Sequence, residues 1–329
     1  VVALAPNRGL AFLVALGYSM GVTRTSVDFS WNWFEGNILY TSLIWAGASL
    51  LGALGWMLAW TASEKPWRKA AAQVLAWTVT LLPPLAILTN GHVLPAWGFL
   101  LQGWSWLAVI ISVAVPAGSF LLAGRDRIPV WKLRVAVAMA FAVLVGASWN
   151  LKPVNTRFHG EIAAPSTHWG KASGYPEILE RMYRIGTVNA KLADAEVTTV
   201  IWPESILQTY SPDMFTFIDD YILKHAEEKK MTVVLGADMT LQDGGLQSTA
   251  IAFYPDGRTA TVAGRQPVPL VLWRPWKTKD SYKVDWTSDP VLNLGRGLKA
   301  RMVFCYEEYI PLLALIDEAT RDFNLTVAM

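Results

Sequence analysis

The chain is short of the residues on which soluble and secreted proteins rely. Only 16% of its 329 residues are charged, and cysteine occurs once. A single cysteine excludes an internal disulfide and a cysteine-built metal cluster. The four histidines, His92, His159, His168 and His225, stand at no metal-ligand spacing. Gly295-Arg296-Gly297 is too short to be a phosphate-binding loop. The sequence therefore calls for no metal or other cofactor, and it contains no internal repeat or low-complexity segment. What it has in excess is apolar: 53% of residues are hydrophobic, 17 are tryptophan, and the mean hydropathy is positive. That composition excludes a disordered chain and is foreign to an ordinary single soluble domain.

The net charge of +2 hides two unlike halves. Residues 1–150 hold 9 Lys+Arg against 4 Asp+Glu and 12 of the 17 tryptophans, whereas residues 151–329 hold 19 against 22. Four runs in the first half, 9–23, 36–63, 70–124 and 135–151, contain no charge at all. A charge at a bilayer centre costs about 2.5–3.5 kcal/mol on insertion scales, so such runs mark membrane spans. The 55-residue run is too long for one crossing of about 20 residues. It is expected to break at Thr89-Asn90-Gly91-His92 through Pro95, giving five spans at 9–26, 38–60, 70–89, 97–123 and 133–150. Lys and Arg gather in alternate connections: Arg8, then Lys65, Arg68 and Lys69, then Arg125, Arg127, Lys132 and Arg134. Held on the cytoplasmic side, they put residues 151–329 on the outer face. Arg24 is left to snorkel at the outer end of span one.

Beyond residue 151 the pattern turns to short apolar β-rich runs separated by helical periodicity, the signature of a layered α/β domain. Strands are expected at 198–202, 232–236, 249–254, 302–305 and 325–328, and helices at 175–193, 212–229 and 310–323. Tyr254-Pro255-Asp256-Gly257 reads as a hairpin turn. The chain opens on Val1 and stops on a strand at Met329, so truncation is expected. The slightly acidic outer half offers no basic footprint for nucleic acid. His168 with Trp169 is expected to seat the domain at the membrane surface. Trp273, Trp276 and Trp286, interleaved with Lys277, Lys279 and Lys283, read as either core or a lipid-interface loop.

Two strand ends carry groups that packing does not require. In Val200-Ile201-Trp202-Pro203-Glu204 a buried strand delivers a carboxylate to its carboxyl end, where open α/β folds build their sites. In Val303-Phe304-Cys305-Tyr306-Glu307 the one cysteine takes the same kind of position. A thiol becomes an efficient nucleophile when a neighbouring base accepts its proton. By itself a strand cysteine is more often core filling, and a Glu after a strand more often a solvated end.

Taken in this order, Trp202-Pro203-Glu204, the hairpin from Ser248 to Gly257 and Cys305-Tyr306-Glu307 resemble the carbon–nitrogen hydrolase (nitrilase) superfamily. The likeness is particularly to the apolipoprotein N-acyltransferases, in which a multi-span membrane half precedes such a domain. The resemblance implies an αββα sandwich over 151–329 behind an all-α transmembrane bundle of about five helices over 1–150. It also implies a Glu–Lys–Cys triad, with Glu204 as general base, Cys305 as the nucleophile that forms a thioester, and Glu307 as an auxiliary acid. The lysine departs from the pattern. Arg265 is the nearest cation, with Lys277, Lys279 and Lys283 as fallbacks that need a different loop path. An arginine keeps the charge but exchanges no proton near neutrality. The run Val268-Pro269 to Trp273-Arg274-Pro275-Trp276 resembles the variant in the TraB proteins of conjugative plasmids.

The expectation is an inner-membrane acyltransferase that takes an acyl group from a phospholipid and passes it to an amine, with a link to a conjugation apparatus. Two rivals use the same residues differently: an amidase or nitrilase with water as acceptor, and a catalytically degenerate membrane scaffold of that apparatus.

Overall fold

The structure is a computed structural model that describes residues 1–101, 104–123, 138–147, 161–167, 169–170, 174–210 and 212–329. The connection holding Arg125, Arg127, Lys132 and Arg134, together with His159 and His168, lies outside the described residues. The chain divides into two compact units: Val1–Val154 with Ile310–Leu312, and Asn155–Tyr309 with Leu313–Met329.

In the first unit the described elements are helical: α1 (Arg8–Val22), α2 (Thr25–Trp33), α3 (Ile38–Met57), α4 (Pro66–Leu81), α5 (Leu85–Leu88), α6 (Leu94–Leu100), α7 (Trp106–Ala123) and α8 (Ala138–Ala147). Asn7 and Asn37 start α1 and α3 by accepting hydrogen bonds from Leu10 N (2.9 Å) and from Leu39 N and Tyr40 N (3.1 and 3.2 Å). Each satisfies backbone donors that a helix start leaves unpaired. The helices meet through small residues. A Cβ on Gly52 would lie 2.8 Å from Ser19 Oγ, and one on Gly55 2.8 Å from Leu85 Cδ1. Thr23 and Ser49 share a hydroxyl hydrogen bond of 2.9 Å.

The expected spans match the described helices only in part. Among the described residues only α3 is by itself long and apolar enough to cross a membrane. The pair α1 and α2, bent by 54°, would make a second. Arg24 sits at that bend, as the residue that opens α2. The expected span at 70–89 starts earlier, at Pro66, and stops at Leu81 because Pro83 and Pro84 lack the amide hydrogens a helix needs. The expected span at 97–123 is interrupted between Leu100 and Trp106. Among the described residues Trp106–Leu122 and Ala138–Ala147 are shorter apolar helices, and the ends of the expected span at 133–150 lie outside those residues.

The second unit is built on two sheets. In the larger, β1 (Ile162–Ala163), β2 (Thr199–Ile201) and β4 (Thr232–Thr240) run parallel, β3 (Thr209–Tyr210) also pairs with β4, and β5 (Leu246–Phe253) and β6 (Thr259–Ala263) continue antiparallel. In the smaller, β8 (Leu298–Val303) lies between antiparallel β7 (Val291–Gly295) and parallel β9 (Leu325–Ala328). Strand alternation divides the core in two. Val200, Trp202, Val233, Leu235, Ile251 and Phe253 face α9 (Tyr175–Asp194) and α10 (Pro212–Lys229), which contribute Met182, Ile185, Ile222 and Ala226. Ile201, Val234, Ala250, Ala252 and Val262 point the other way, onto Leu292, Leu294, Ala300 and Met302 of the smaller sheet. With α11 (Pro311–Thr320) beyond that sheet, joined to it by an Asp317–Arg301 ion pair of 2.6 Å, the layers run α, β, β, α.

The long helices and all five expected strands are found, with shifted ends. Trp169 packs on Trp202, with ring centroids 5.6 Å apart, and joins the core in place of the surface role expected of it.

Candidate active site

The larger sheet delivers Glu204 through a tight turn. Trp202 closes the strand end, fully buried, with its indole N–H donated to Asn189 Oδ1 at 3.1 Å. Pro203 then ends the pairing, and Ser205 takes a left-handed conformation (φ 52°). This turn lies flat on β4 because residue 236 is glycine. A Cβ there would stand 2.4 Å from Pro203 O and 2.7 Å from Glu204 Cα. Gly236 therefore governs where the acid sits. Its signal in the sequence is a glycine inside an otherwise β-branched strand, which marks close backbone approach.

The smaller sheet delivers Cys305. β8 ends at Val303, and Cys305 opens a short 3₁₀ turn (Cys305–Tyr309) with φ 38°, a conformation that costs a non-glycine residue of order 1 kcal/mol or more. The strained turn lifts the thiol out of the strand, where the sequence had put it, so the residue is exposed rather than core filling.

Glu204 and Cys305 line one cleft of about 300 Å³ that is open to solvent. Ser248, Tyr282, Lys283 and Glu307 bring polar groups to it, and Val268, Leu272 and Phe304 an apolar wall. The acids and the thiol act on one another. Burial pushes Glu204 up to about 7; the Ser248 hydroxyl opposes that, and the Asp238 and Glu307 carboxylates add to it. Burial and the negative charge of Glu204 and Glu308 hold the Cys305 thiol up at about 11, against a lowering hydrogen bond from the Tyr306 backbone. Though part of Cys305 meets solvent, its sulfur is crowded enough that desolvation is the largest influence on it.

Asp238 is a site residue that sequence reading missed. It faces Ser248 directly across the β4–β5 ladder, and its Oδ1 accepts from Ser205 Oγ at 2.9 Å and Ser248 Oγ at 3.5 Å. Burial raises its pKa, against hydrogen bonds from Ser205, Tyr282 and Ser248. Ser248 thus stands between two carboxylates.

Glu307 is a brace. Its Oε1 accepts the backbone N–H of Arg265, in a very short contact, and that of Gln266 at 3.0 Å. It ties the segment after β6 to the cysteine turn, and burial raises its pKa despite those bonds.

Arg265 does not reach the cleft. Gly264 and Gln266 line it, whereas the residue between them does not, although its Nη2 lies 3.8 Å from Oε2 of the lining residue Glu307. The guanidinium is 1% exposed, and its Nη1 and Nη2 donate to Asp317 Oδ1 and Oδ2 at 2.7 and 2.8 Å. Arg301 Nε reaches the same carboxylate at 2.6 Å. Arg265 is therefore a buried cation held by Asp317 and Glu307, outside the lining of the cleft in which the oxyanion role was expected of it. Lys277 is exposed and pairs with Asp280 at 3.3 Å, and Lys279 is exposed against Gly244. Of the four cations considered, only Lys283 contributes to the cleft lining. Among the described residues no group of three or more His, Cys, Asp or Glu is gathered to hold a metal ion.

Comparison with known proteins gives the geometry a context. No family model matches the chain. A protein of Sinorhizobium fredii described as a probable conjugal transfer protein TraB is 26% identical over 315 residues, covering 93% of this chain and 75% of that one. Among solved structures, an amidase from Nesterenkonia is 16% identical over 39% of this chain and 50% of its own, with a TM-score of 0.31. A carbon–nitrogen hydrolase from Helicobacter pylori is 12% identical over 42% of this chain and 50% of its own, with a TM-score of 0.32. The chain spans about half the length of those two structures. It is thus a TraB conjugal transfer protein that this chain resembles along nearly its whole length.

Proposed function

We propose that the chain is a membrane-bound acyltransferase of nitrilase type, in which Cys305 accepts an acyl group from a phospholipid as a thioester and passes it to an amine. The observation that carries this reading is the meeting of Cys305 and Glu204, from distant parts of the chain, in one cleft with an apolar wall. Glu204 takes the thiol proton as the sulfur adds to the ester carbonyl carbon, and the carbonyl π pair moves onto oxygen. When that pair returns, the ester C–O bond breaks, and the departing alkoxide takes the proton from Glu204. In the second half an amine adds to the thioester carbon and gives its proton to Glu204. The C–S bond then breaks, the proton passes to sulfur, and an amide and the free thiol remain. With Glu204 near 7 the carboxylate can both take and return a proton close to neutrality.

The membrane supplies the donor in this reading. Residues 1–150 cross the cytoplasmic membrane in several passes, and the second unit works on its periplasmic side. Trp276, 70% exposed, and the exposed Leu270 lie close in sequence to Lys277 and Lys279 and form a lipid-interface loop. Trp286 does not join them, because its indole N–H is donated to Gln266 Oε1 at 2.9 Å. The likeness to a TraB protein supports a task in conjugal transfer, beside other proteins of that apparatus. The experiment is incubation of the full chain with phospholipid, followed by mass spectrometry at Cys305. An acyl adduct that persists in water and discharges to an added amine is the expected result. Discharge to water would make the protein an amidase-type hydrolase, and no adduct would make it a scaffold.

A further inference from the structure

We infer that Asp238 is a positioning residue of the Glu204–Cys305 site, acting through Ser248: the one hydroxyl hydrogen of that serine turns from Glu204 to Asp238 as Glu204 takes the cysteine proton, and turns back when the proton is given up. The inference rests on the acyl-transfer reading and deepens it. No bond of Ser248 or Asp238 is made or broken. The hydroxyl rotates about the serine Cβ–Oγ bond, and the proton in transit moves only between Glu204 and the reacting atoms.

A count of hydrogens leads there. A serine hydroxyl can donate one hydrogen bond. Ser248 has two carboxylates within reach: its Oγ is 3.5 Å from Asp238 Oδ1, and it also hydrogen-bonds Glu204. It cannot donate to both at once. While Glu204 is ionised it holds the hydrogen, and Asp238 keeps its donors from Ser205 Oγ at 2.9 Å and the Tyr282 hydroxyl. Once Glu204 is protonated its claim weakens, and the hydrogen passes to Asp238. The backbone on either side is fixed. Asp238 and Ser248 face each other directly in the β4–β5 ladder, Asp238 N donates to Gln208 O at 2.9 Å, and Ser248 O accepts from Gly264 N at 2.7 Å. The hydroxyl torsion is then the softest motion left to the pair.

Packing gives no reason for Asp238. It is buried, its side-chain partners are the hydroxyls of Ser205, Ser248 and Tyr282, and among the described residues it joins no ion pair. A carboxylate buried without a cation is costly, so a neutral residue would suit the strand better. The other ionisable groups around the pair are Cys305, Glu307 and Glu308 of the turn after β8, and Tyr282 and Lys283 of the loop before β7. Lys283 Nζ rests 2.6 Å from a different carboxylate, that of Asp243. After burial, the strongest influences on Glu204 are the Ser248 hydroxyl, which lowers its pKa, and the charge of Asp238, which raises it.

The single cysteine makes the test direct. The full chain in detergent is alkylated with iodoacetamide, an uncharged reagent, from mild acid to strong alkali, and the adduct at Cys305 is followed by mass spectrometry. A thiol and an acid that share a proton titrate as a pair, so the rate should rise first as Glu204 ionises at about 7 and again as the second proton leaves. Asp238→Asn removes a like charge, and its amide donates to Ser248 Oγ, which fixes the hydroxyl hydrogen on Glu204. The lower rise should move down by about one pH unit. Ser248→Ala takes the donor from the Glu204 carboxylate, and the rise should move up by about half a unit. Tyr282→Phe leaves both acids and the serine in place. With one donor to Asp238 gone, the Ser248 hydrogen is drawn there, and the rise should again move up, by about 0.3 unit. In a Ser248→Ala background both other shifts should shrink to less than half, because the hydroxyl that transmits them is absent. Full shifts in that background, or a rise left in place by both Asp238→Asn and Tyr282→Phe, overturn the inference; a merely structural Asp238 predicts the second result. A variant that fails to fold would show a single rise near the ordinary thiol value of about 8.5, and Tyr282→Phe, which keeps its ring, then decides. Glu204→Gln separates this failure from a wider one, since it should remove the lower rise. If it does so while the other variants leave the rise in place, the acyl-transfer reading stands without Asp238; if the rise survives Glu204→Gln, both fall.

Discussion

The two units sort their side chains in opposite ways. The helical unit buries Ala11, Ala15, Ser19, Ser49 and Ala53 and exposes Leu39, Leu43, Leu54, Ile110 and Val143, the last at 70%. The α/β unit buries Val200, Leu207, Ile222, Val233, Leu235 and Ile251 completely or nearly so. Water drives large apolar groups inward at about 25 cal/mol per Å². In a solvent of lipid chains a leucine gains nothing by burial, and close backbone contact through small residues holds helices together. The contrast is what a lipid solvent around one unit and water around the other would select. A second contrast lies within the α/β unit. Two cation–carboxylate pairs differ in burial: Arg265–Asp317 is 1% exposed on both sides, and Lys283–Asp243 is 35% and 55% exposed.

These contrasts can be broken. The largest effect belongs to the site itself: Glu204→Gln should slow formation of the Cys305 acyl adduct by about 10²–10⁴, the usual worth of a positioned base, and Cys305→Ala should abolish it. A parent-like rate in Glu204→Gln would remove the acid from the mechanism. Next come the two ion pairs. Asp317→Asn leaves buried Arg301 without its carboxylate and Arg265 with only Glu307, at 3.8 Å, and should cost about 3–5 kcal/mol in denaturant unfolding of the α/β unit. Asp243→Asn should change that unfolding by no more than about 1 kcal/mol. Equal effects would erase the distinction between the buried and the exposed pair.

The comparison between units is sharpened at Leu50, 46% exposed near the middle of α3. Leu50→Arg should cost about 3 kcal/mol of membrane insertion, read from the fraction of protein recovered with membranes. A helix facing water would tolerate the same change. A smaller effect is expected in the pH dependence of stability through Glu204. Its folded value of about 7 lies above the ordinary 4.5, so the fold favours the protonated acid. That contribution is complete below about pH 4.5 and is lost as pH rises through about 7. Glu204→Gln, permanently neutral, should therefore match the parent in acid. In mild alkali it should exceed the parent by about 1–2 kcal/mol, after allowance for the part of the carboxylate that water reaches. Adduct formation by the parent should rise over the same interval as the base ionises.

Much of this was legible in the residue order. The apolar halves of strands β2, β4, β5 and β9 and the spacing of Ile178, Met182 and Ile185 on α9 are local patterns, and local patterns survive into the fold. Glu204 and Cys305 were readable because each follows directly on a buried strand. Helix continuity in the first unit was not: freedom from charge marks a segment that lipid can accept, but Pro83 and Pro84 and the break before Trp106 decide where the hydrogen-bonded ladder stops.

The residue order alone determined which chemical groups are present: one thiol, an acid at the end of a strand, and an apolar half poor in charge. Only the tertiary structure decided which of the candidate cations lines the cleft, because that depends on which way a side chain leaves an extended backbone. Arg265, nearest in the sequence, turns inward to Asp317, and Lys283 arrives on a returning loop held by Leu246 and Leu272. Asp238 and Gly236 belong to the same class, since their roles arise from strand register and backbone contact between segments that the sequence keeps apart.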